Sequence, residues 1–454
     1  MRPVIERLDP APPVVVIDLG EAHGRLDDDV DLLASPAPTA ERSWTPVIAA
    51  LVAVLLLGGS LGPPAPRLAE MLTLPFEPAD TFAVTAESML LVHSPGEGRL
   101  TAYDLTTGAR RWQAPAPAVA YRVRSGGGLV LLRARPGGAH DSGTLALAQD
   151  TGERRWQRPG TVVAVAGAPT VVAVSEVRSL SGAGRRVEGS VIGVDSATGV
   201  TRWTVDVPST AVLQPVPGAP FRALLVHDDG RAEVRDLETG TLLGATRLPP
   251  ADYAPDNPGI VGESLLLRHP VAGSPVVTAY DLATLALRWS RPAAAAYDTQ
   301  VCGDNACLVG RAGVRAVDPV TGAELWNRSG WRGVEQRGGQ LLAYGLGADG
   351  DAAVGIVDPE TGRVAVDLRR WQVLPNAVPG GTVMVTRPTL VEPDDPDIPG
   401  SVVRVVLGAA DPVSRAVRPI GTLPTDTGDC RVAPERLVCR SAGRLVVWSY
   451  RTGP

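Results

Sequence analysis

One phrase recurs along this chain, and it constrains the fold more than any other feature. It reads Ala102-Tyr103-Asp104-Leu105-Thr106-Thr107-Gly108-Ala109-Arg110-Arg111-Trp112 at its first occurrence. It returns at 193–203, with Gly193 in the leading place, at 279–289, with Leu285 in the glycine place, and at 316–326. A shorter copy, Asp150 to Trp156, has Ala148 where the aspartate belongs, and two more, starting at Asp236 and Asp358, keep the turn without the tryptophan. In the five copies that carry it, Trp112, Trp156, Trp203, Trp289 and Trp326, the indole falls four residues after the glycine position. A run such as Arg99 to Tyr103 alternates like a half-buried strand. Asp-x-x-Thr-Gly then makes a tight turn, with Asp and Thr bonding nearby amides and Gly taking a positive φ. Each copy is a hairpin that carries one large aromatic at a fixed height. Units of this kind bury a face only by stacking on one another.

The turns centre on Gly108, Gly152, Gly199, Gly240, Leu285, Gly322 and Gly362, at intervals of 37 to 47 residues. A degenerate turn follows near Asp411 to Arg415, and a last one at Tyr450 to Gly453. Two further short strands precede most hairpins, so each interval holds four strands, the content of a propeller blade. The final turn has no strand after it. The segment Leu68 to Leu74 is available to complete that blade, close the ring and remove the free sheet edges. The fold class expected for residues 66–454 is therefore all-β, a propeller of four-stranded blades, with the blade count open between eight and nine.

Residues 1–43 are Pro-rich and net acidic, with Asp27-Asp28-Asp29-Val30-Asp31 and no sustained period, and read as a disordered segment. Residues 44–62 carry no charge, and nineteen residues as a helix span about 28 Å, enough for a hydrocarbon core. Trp44 suits an interface and Pro46 a first helical turn. The rival is a cleaved signal peptide, whose usual start is short and basic rather than 43 residues of acidic character. An uncleaved single-pass transmembrane helix is the favoured expectation. Four Arg precede it and Arg67 alone follows closely, which places the N-terminus inside and the propeller outside the cell membrane. The four cysteines test that placement. Cys302 and Cys307, and Cys430 and Cys439, each flank an apparent hairpin turn, within reach of cross-strand disulfides. Paired cysteines fit an oxidising compartment. Zinc is the rival, without metal-like spacing and without a nearby His.

Charge and motifs remove several classes. A net charge of −6 and a pI near 5.5 leave no electrostatic footprint for nucleic acid. All 43 basic residues are Arg. His23, His93, His140, His227 and His269 stand singly, as surface or packed residues rather than bases. There is no dinucleotide fingerprint, Walker loop or nucleophile elbow, and Gly126-Gly127-Gly128 reads as a turn between strands. Glu392-Pro393-Asp394-Asp395-Pro396-Asp397 offers four carboxylates without calcium-loop spacing, and reads as a solvated loop placed for a partner contact.

The phrase Ala-x-Asp-x-x-x-Gly-x-x-x-Trp resembles the tryptophan-docking motif of the quinoprotein, or PQQ-like, β-propellers. It fits fully at 102–112 and 316–326, and with one change at 193–203 and 279–289. The resemblance spans roughly residues 66–454 and implies eight blades as the usual number. It also implies a structural role for Trp112, Trp156, Trp203, Trp289 and Trp326, each packed on the turn of a neighbouring blade. The family includes dehydrogenases of alcohols and sugars that bind PQQ and calcium, and non-enzymatic envelope scaffolds. The dehydrogenases often carry adjacent cysteines, and no Cys-Cys occurs here. Their calcium ligands and catalytic Asp find no matching positions. The expected function is a membrane-anchored extracytoplasmic scaffold that binds a protein or envelope ligand, with no cofactor, metal or catalysis. The alternative is a PQQ- and calcium-dependent dehydrogenase.

Overall fold

The computed structural model describes residues 67–452 except 86–87, 117–119, 135–142, 164–167, 179–183, 217, 219, 294–295, 338, 348–349, 376–381 and 392–401. The acidic segment, the apolar stretch 44–62, His23, His140 and the carboxylate loop at 392–397 thus lie outside the described residues. Residues 66–454 form one compact unit.

The described residues make eight antiparallel sheets. The first unit is typical: strands Thr81–Val84, Met89–Ser94, Arg99–Asp104 and Arg110–Pro115 pair in chain order. Seven sheets have four strands and one has seven. The seven-stranded sheet is two units joined through one long strand, Thr201–Val216. Its residues 201–207 are the outer strand of the third unit, and residues 211–216 are the inner strand of the fourth. Eight sheets and nine recurring hairpins are therefore the same architecture counted in two ways. The ring closes with strand Leu68–Pro75 pairing against Arg444–Tyr450, in register from Leu68 with Tyr450 to Pro75 with Arg444. The last unit thus takes its outer strand from the start of the domain, which leaves no terminal blade to fray.

Each turn is held as its residues require. Asp104 Oδ1 accepts the amides of Thr106 at 2.8 Å and Thr107 at 2.9 Å, and Asp195, Asp236, Asp281, Asp318 and Asp358 repeat the pattern. The backbone bonds do not depend on the aspartate. At Ala148 the amide of Gly152 still donates to the Ala148 carbonyl at 2.8 Å.

Across the hairpin, each tryptophan faces the first residue of its phrase. Ala102 pairs with Trp112, Ala146 with Trp156, Gly193 with Trp203, Ala279 with Trp289 and Ala316 with Trp326. The indole lies over that residue, so only a small one fits; a Cβ on Gly193 would sit 2.1 Å from Trp203. In the fourth and seventh units, which lack the tryptophan, the opposing residue grows. Gly244 faces Val234 and Val366 faces Ile356, both buried.

The turn glycines obey the same indoles from the other side. A Cβ on Gly152 would lie 2.4 Å from Trp112, on Gly199 2.5 Å from Trp156, and on Gly240, Gly322 and Gly362 2.7 Å from Trp203, Trp289 and Trp326. Positive φ, the reason suggested by the sequence, is not what excludes other residues. Leu285 and Arg415 take φ of 56° and 55° in the same place. They follow the fourth and seventh units, two of the four without a docked tryptophan, and Leu285, 3% exposed, fills the space an indole would have taken. Gly199→Ala should therefore destabilise the domain by about 2 kcal/mol or more through overpacking, and Trp156→Ala by about 3–5 kcal/mol through a cavity. Arg415→Gly should change the urea midpoint little. Were φ to set the requirement, Arg415→Gly would instead raise the urea midpoint by relieving its positive φ.

Candidate functional site

The residues singled out by the repeat converge on the joints between units. Trp112 Nε1 donates to the Gln149 carbonyl at 2.9 Å, Trp156 to Ser196 at 2.9 Å, and Trp203 to Leu237 at 3.0 Å. Trp289 donates to the Pro319 carbonyl at 3.1 Å, and Trp326 to Pro359 at 2.8 Å. Every acceptor is the residue after the aspartate position of the next turn. Four of the five indoles are nine-tenths buried or more, so each hydrogen bond satisfies a donor that water does not reach.

Two arginine positions that the sequence reading passed over complete these joints. The arginine before the tryptophan braces its own turn: Arg111 pairs with Asp104, Arg202 with Asp195 and Arg288 with Asp281, each at 2.5 Å. The arginine two residues after it reaches the next turn. Arg158 donates to the Gly199 carbonyl at 2.7 Å, and Arg328 to Gly362 at 2.8 Å and Thr361 at 2.9 Å. At the ring closure, Arg436 donates to the carbonyls of Leu105 at 2.6 Å and Thr106 at 3.3 Å. The recurrence of Arg at 158, 291 and 328 was the available signal.

The bracing lowers carboxylate pKa values for stated reasons. The Arg111 guanidinium and then the Thr107 amide hold Asp104 at about 2. Arg202 and then Thr198 hold Asp195 at about 2, and Thr284, ahead of Arg288, does the same for Asp281.

The cysteines form two bridges, Cys302–Cys307 with Cα atoms 5.8 Å apart and Cys430–Cys439 at 4.1 Å. All four are buried. Gly127 and Gly128 turn with φ of 60° and 74° between strands Ala120–Gly126 and Leu129–Ala134. Beside this turn an open groove is lined by Arg111, Gln149, Asp150, Arg155 and Ser196.

The described histidines are packed. His269 Nε2 lies 2.7 Å from Thr278 Oγ1, and His93 is 1% exposed. His227 belongs to a buried ionic cluster that the sequence did not reveal. Glu233, 3% exposed at its side chain, receives Arg231 at 3.0 Å and Arg235 at 2.7 Å, with His227 Nε2 at 3.5 Å. Burial, and then the Arg231 charge, hold the His227 imidazole below its usual range. Two guanidinium groups on one carboxylate compensate a charge that would otherwise be costly to bury. Among the described residues no group of three or more His, Cys, Asp and Glu is placed to hold a metal ion.

Residues 68–223 match the family model described as outer membrane protein assembly factor BamB. Over this stretch the repeat is of the PQQ-like type. No curated protein matches the chain. Among solved structures it is similar to BamB from Moraxella catarrhalis, at 16% identity over 84% of this chain and 100% of that one, with a TM-score of 0.42. The computationally designed Ika8 protein matches at 12% identity over 84% and 99%, TM-score 0.42. The C-terminal WD40 domain of Sif2 matches at 8% over 85% and 99%, TM-score 0.41.

The depressed carboxylates should make the stability of residues 66–454 depend on pH in the acid range. Folded values near 2 lie below the unfolded value of about 3.9. Their stabilisation is present above about pH 4 and is lost as pH falls toward about 2. The thermal midpoint should drop across that window, and Asp104→Asn/Asp195→Asn/Asp281→Asn should flatten the drop. An unchanged slope in the triple variant would remove these turns as its cause.

Proposed function

We propose that residues 66–454 are a non-enzymatic, protein-binding propeller of the cell envelope. The observation that carries this reading is the match of residues 68–223 to the BamB assembly-factor model. The geometry supports it: the side chains that recur with the repeat are used in joining one unit to the next. Apolar side chains stand open to solvent on several units, among them Leu242, Leu243 and Leu287.

Two further elements of the reading come from the sequence. The uncharged stretch 44–62 is long enough to anchor the chain in a membrane as a single span, with the acidic segment 1–43 on the cytoplasmic side. Among the described residues no helix is long and apolar enough to cross a membrane. The bridges Cys302–Cys307 and Cys430–Cys439 suit an oxidising compartment outside the span. The ligand is then a protein or another envelope component, and nucleic acid is excluded by charge.

The test separates scaffold from enzyme. Residues 66–454 titrated with PQQ and Ca²⁺ should give no saturable change in quinone absorbance and no dye-linked oxidation of alcohols or sugars. Cross-linking in intact cells should join the full chain to a membrane or envelope protein. Saturable PQQ binding with turnover would replace this reading with the dehydrogenase one. Protease added outside spheroplasts should remove the propeller; complete protection would reverse the orientation.

A further inference from the structure

In the turns at Asp104, Asp195 and Asp281 one carboxylate meets three donors. Its first oxygen accepts the amides of the residues two and three places further on, at 2.8–3.1 Å. Its second oxygen pairs with the guanidinium seven places on, that of Arg111, Arg202 or Arg288, at 2.5 Å. Successive amides of a turn make an anion-binding concavity, and a guanidinium makes the contact charge-assisted. The set favours the ionised carboxylate, and all three aspartates titrate at about 2.

The turn from Ala148 to Gly152 keeps these donors and lacks the carboxylate. Arg155 stands seven places after Ala148, as Arg111 does after Asp104. The backbone keeps its form: the Ala148 amide donates to the Glu153 carbonyl, and the Gly152 amide to the Ala148 carbonyl, both at 2.8 Å. Thr151 Oγ1 accepts the Glu153 amide at 3.3 Å, as Thr107 Oγ1 accepts that of Ala109. Among the described residues no side chain accepts the amides of Asp150 and Thr151. Among them too, the one acidic partner of Arg155 is the exposed Glu153, 3.8 Å away and beyond hydrogen-bond reach. The turn opens on the groove bordered by Gly128, Arg111 and Ser196, whose volume of about 570 Å³ lies in the range of ligand sites.

We propose that this turn and Arg155 bind a carboxylate supplied from outside the chain, on a side chain or at the C-terminus of a bound polypeptide. A planar carboxylate suits the donors, with one oxygen for the two amides and the other for the guanidinium, as in the three sister turns. The Ala148 methyl closes the base of the turn, so the group enters from the groove. Asp150 and Glu153, both exposed, oppose it and hold its affinity down. The polypeptide source rests on the protein-binding reading above, whereas the site rests on the turn alone.

Titration of isotope-labelled residues 66–454, the compact unit whose ring closes on itself, with sodium acetate tests the site, with sodium chloride as the ionic control. The Asp150 and Thr151 amide resonances should shift saturably, with a dissociation constant on the order of 10 mM for so small a ligand, and chloride should not move them. Ala148→Asp should abolish the response and raise the thermal midpoint, because it supplies the carboxylate within the chain. Arg155→Gln should weaken acetate binding at least about tenfold. Asp150→Asn/Glu153→Gln should tighten it about threefold. Two peptides identify the source: acetyl-Gly-Asp-Gly amide carries its carboxylate on a side chain, and acetyl-Gly-Gly-Gly carries it at the chain end. One of them should bind more tightly than acetate, and acetyl-Gly-Asn-Gly amide should not bind. No saturable shift with acetate, or a response that survives Ala148→Asp, overturns the site. Inorganic phosphate that saturates it at lower concentration than acetate overturns the carboxylate assignment. Acidic peptides no tighter than acetate overturn the polypeptide source. Turnover with PQQ would remove the protein-binding reading, and the acetate titration would still decide the site.

Discussion

The structure depends on one repeated contact, an indole laid between two units. A tryptophan on an outer strand covers the small residue opposite it, packs on the glycine of the next turn and donates its N–H to a carbonyl of that turn. One side chain thereby sets volume on its own sheet and on its neighbour. The burial is large, and the single polar atom is satisfied where water is excluded. Sheets that twist and stack face to face gain a fixed spacing from such a spacer.

The repeat departs from itself in a coordinated way. Loss of the tryptophan at Gly244 goes with Val234 across the hairpin and Leu285 on the next turn; loss at Val366 goes with Ile356 and Arg415. In the first of these the exchange refills the interior, since Val234 and Leu285 are both buried. At the ring closure Leu72 packs near Gly108 and Arg436 holds the first turn by its carbonyls. The nine units are thus held by a full joint in five places and by substitutes elsewhere.

A chain that spends its recurring polar groups on its joints leaves its surface free to vary, which suits a binding platform. The ionic cluster of Glu233, Arg231, Arg235 and His227 follows the same economy: the buried Glu233 carboxylate is compensated within a single unit by Arg235 and by Arg231, which reaches in from the surface.

The sequence by itself determined the period, the hairpin, the phase of the tryptophans, the pairing of cysteines and the N-terminal strand that closes the ring. All of these are local, or repeat at fixed spacing, and periodicity makes them visible. Tertiary structure alone decided why the glycines are glycines. Read locally, Gly199 answers to its φ; in the fold it answers to Trp156, on another unit. It also decided that eight sheets contain nine units, because the long strand Thr201–Val216 serves two of them. Arg158 and Glu233 escaped the sequence reading for the same reason. Their partners are defined by which sheets stack and which side chains share an interior, and contacts between stacked units leave no period of their own in the chain.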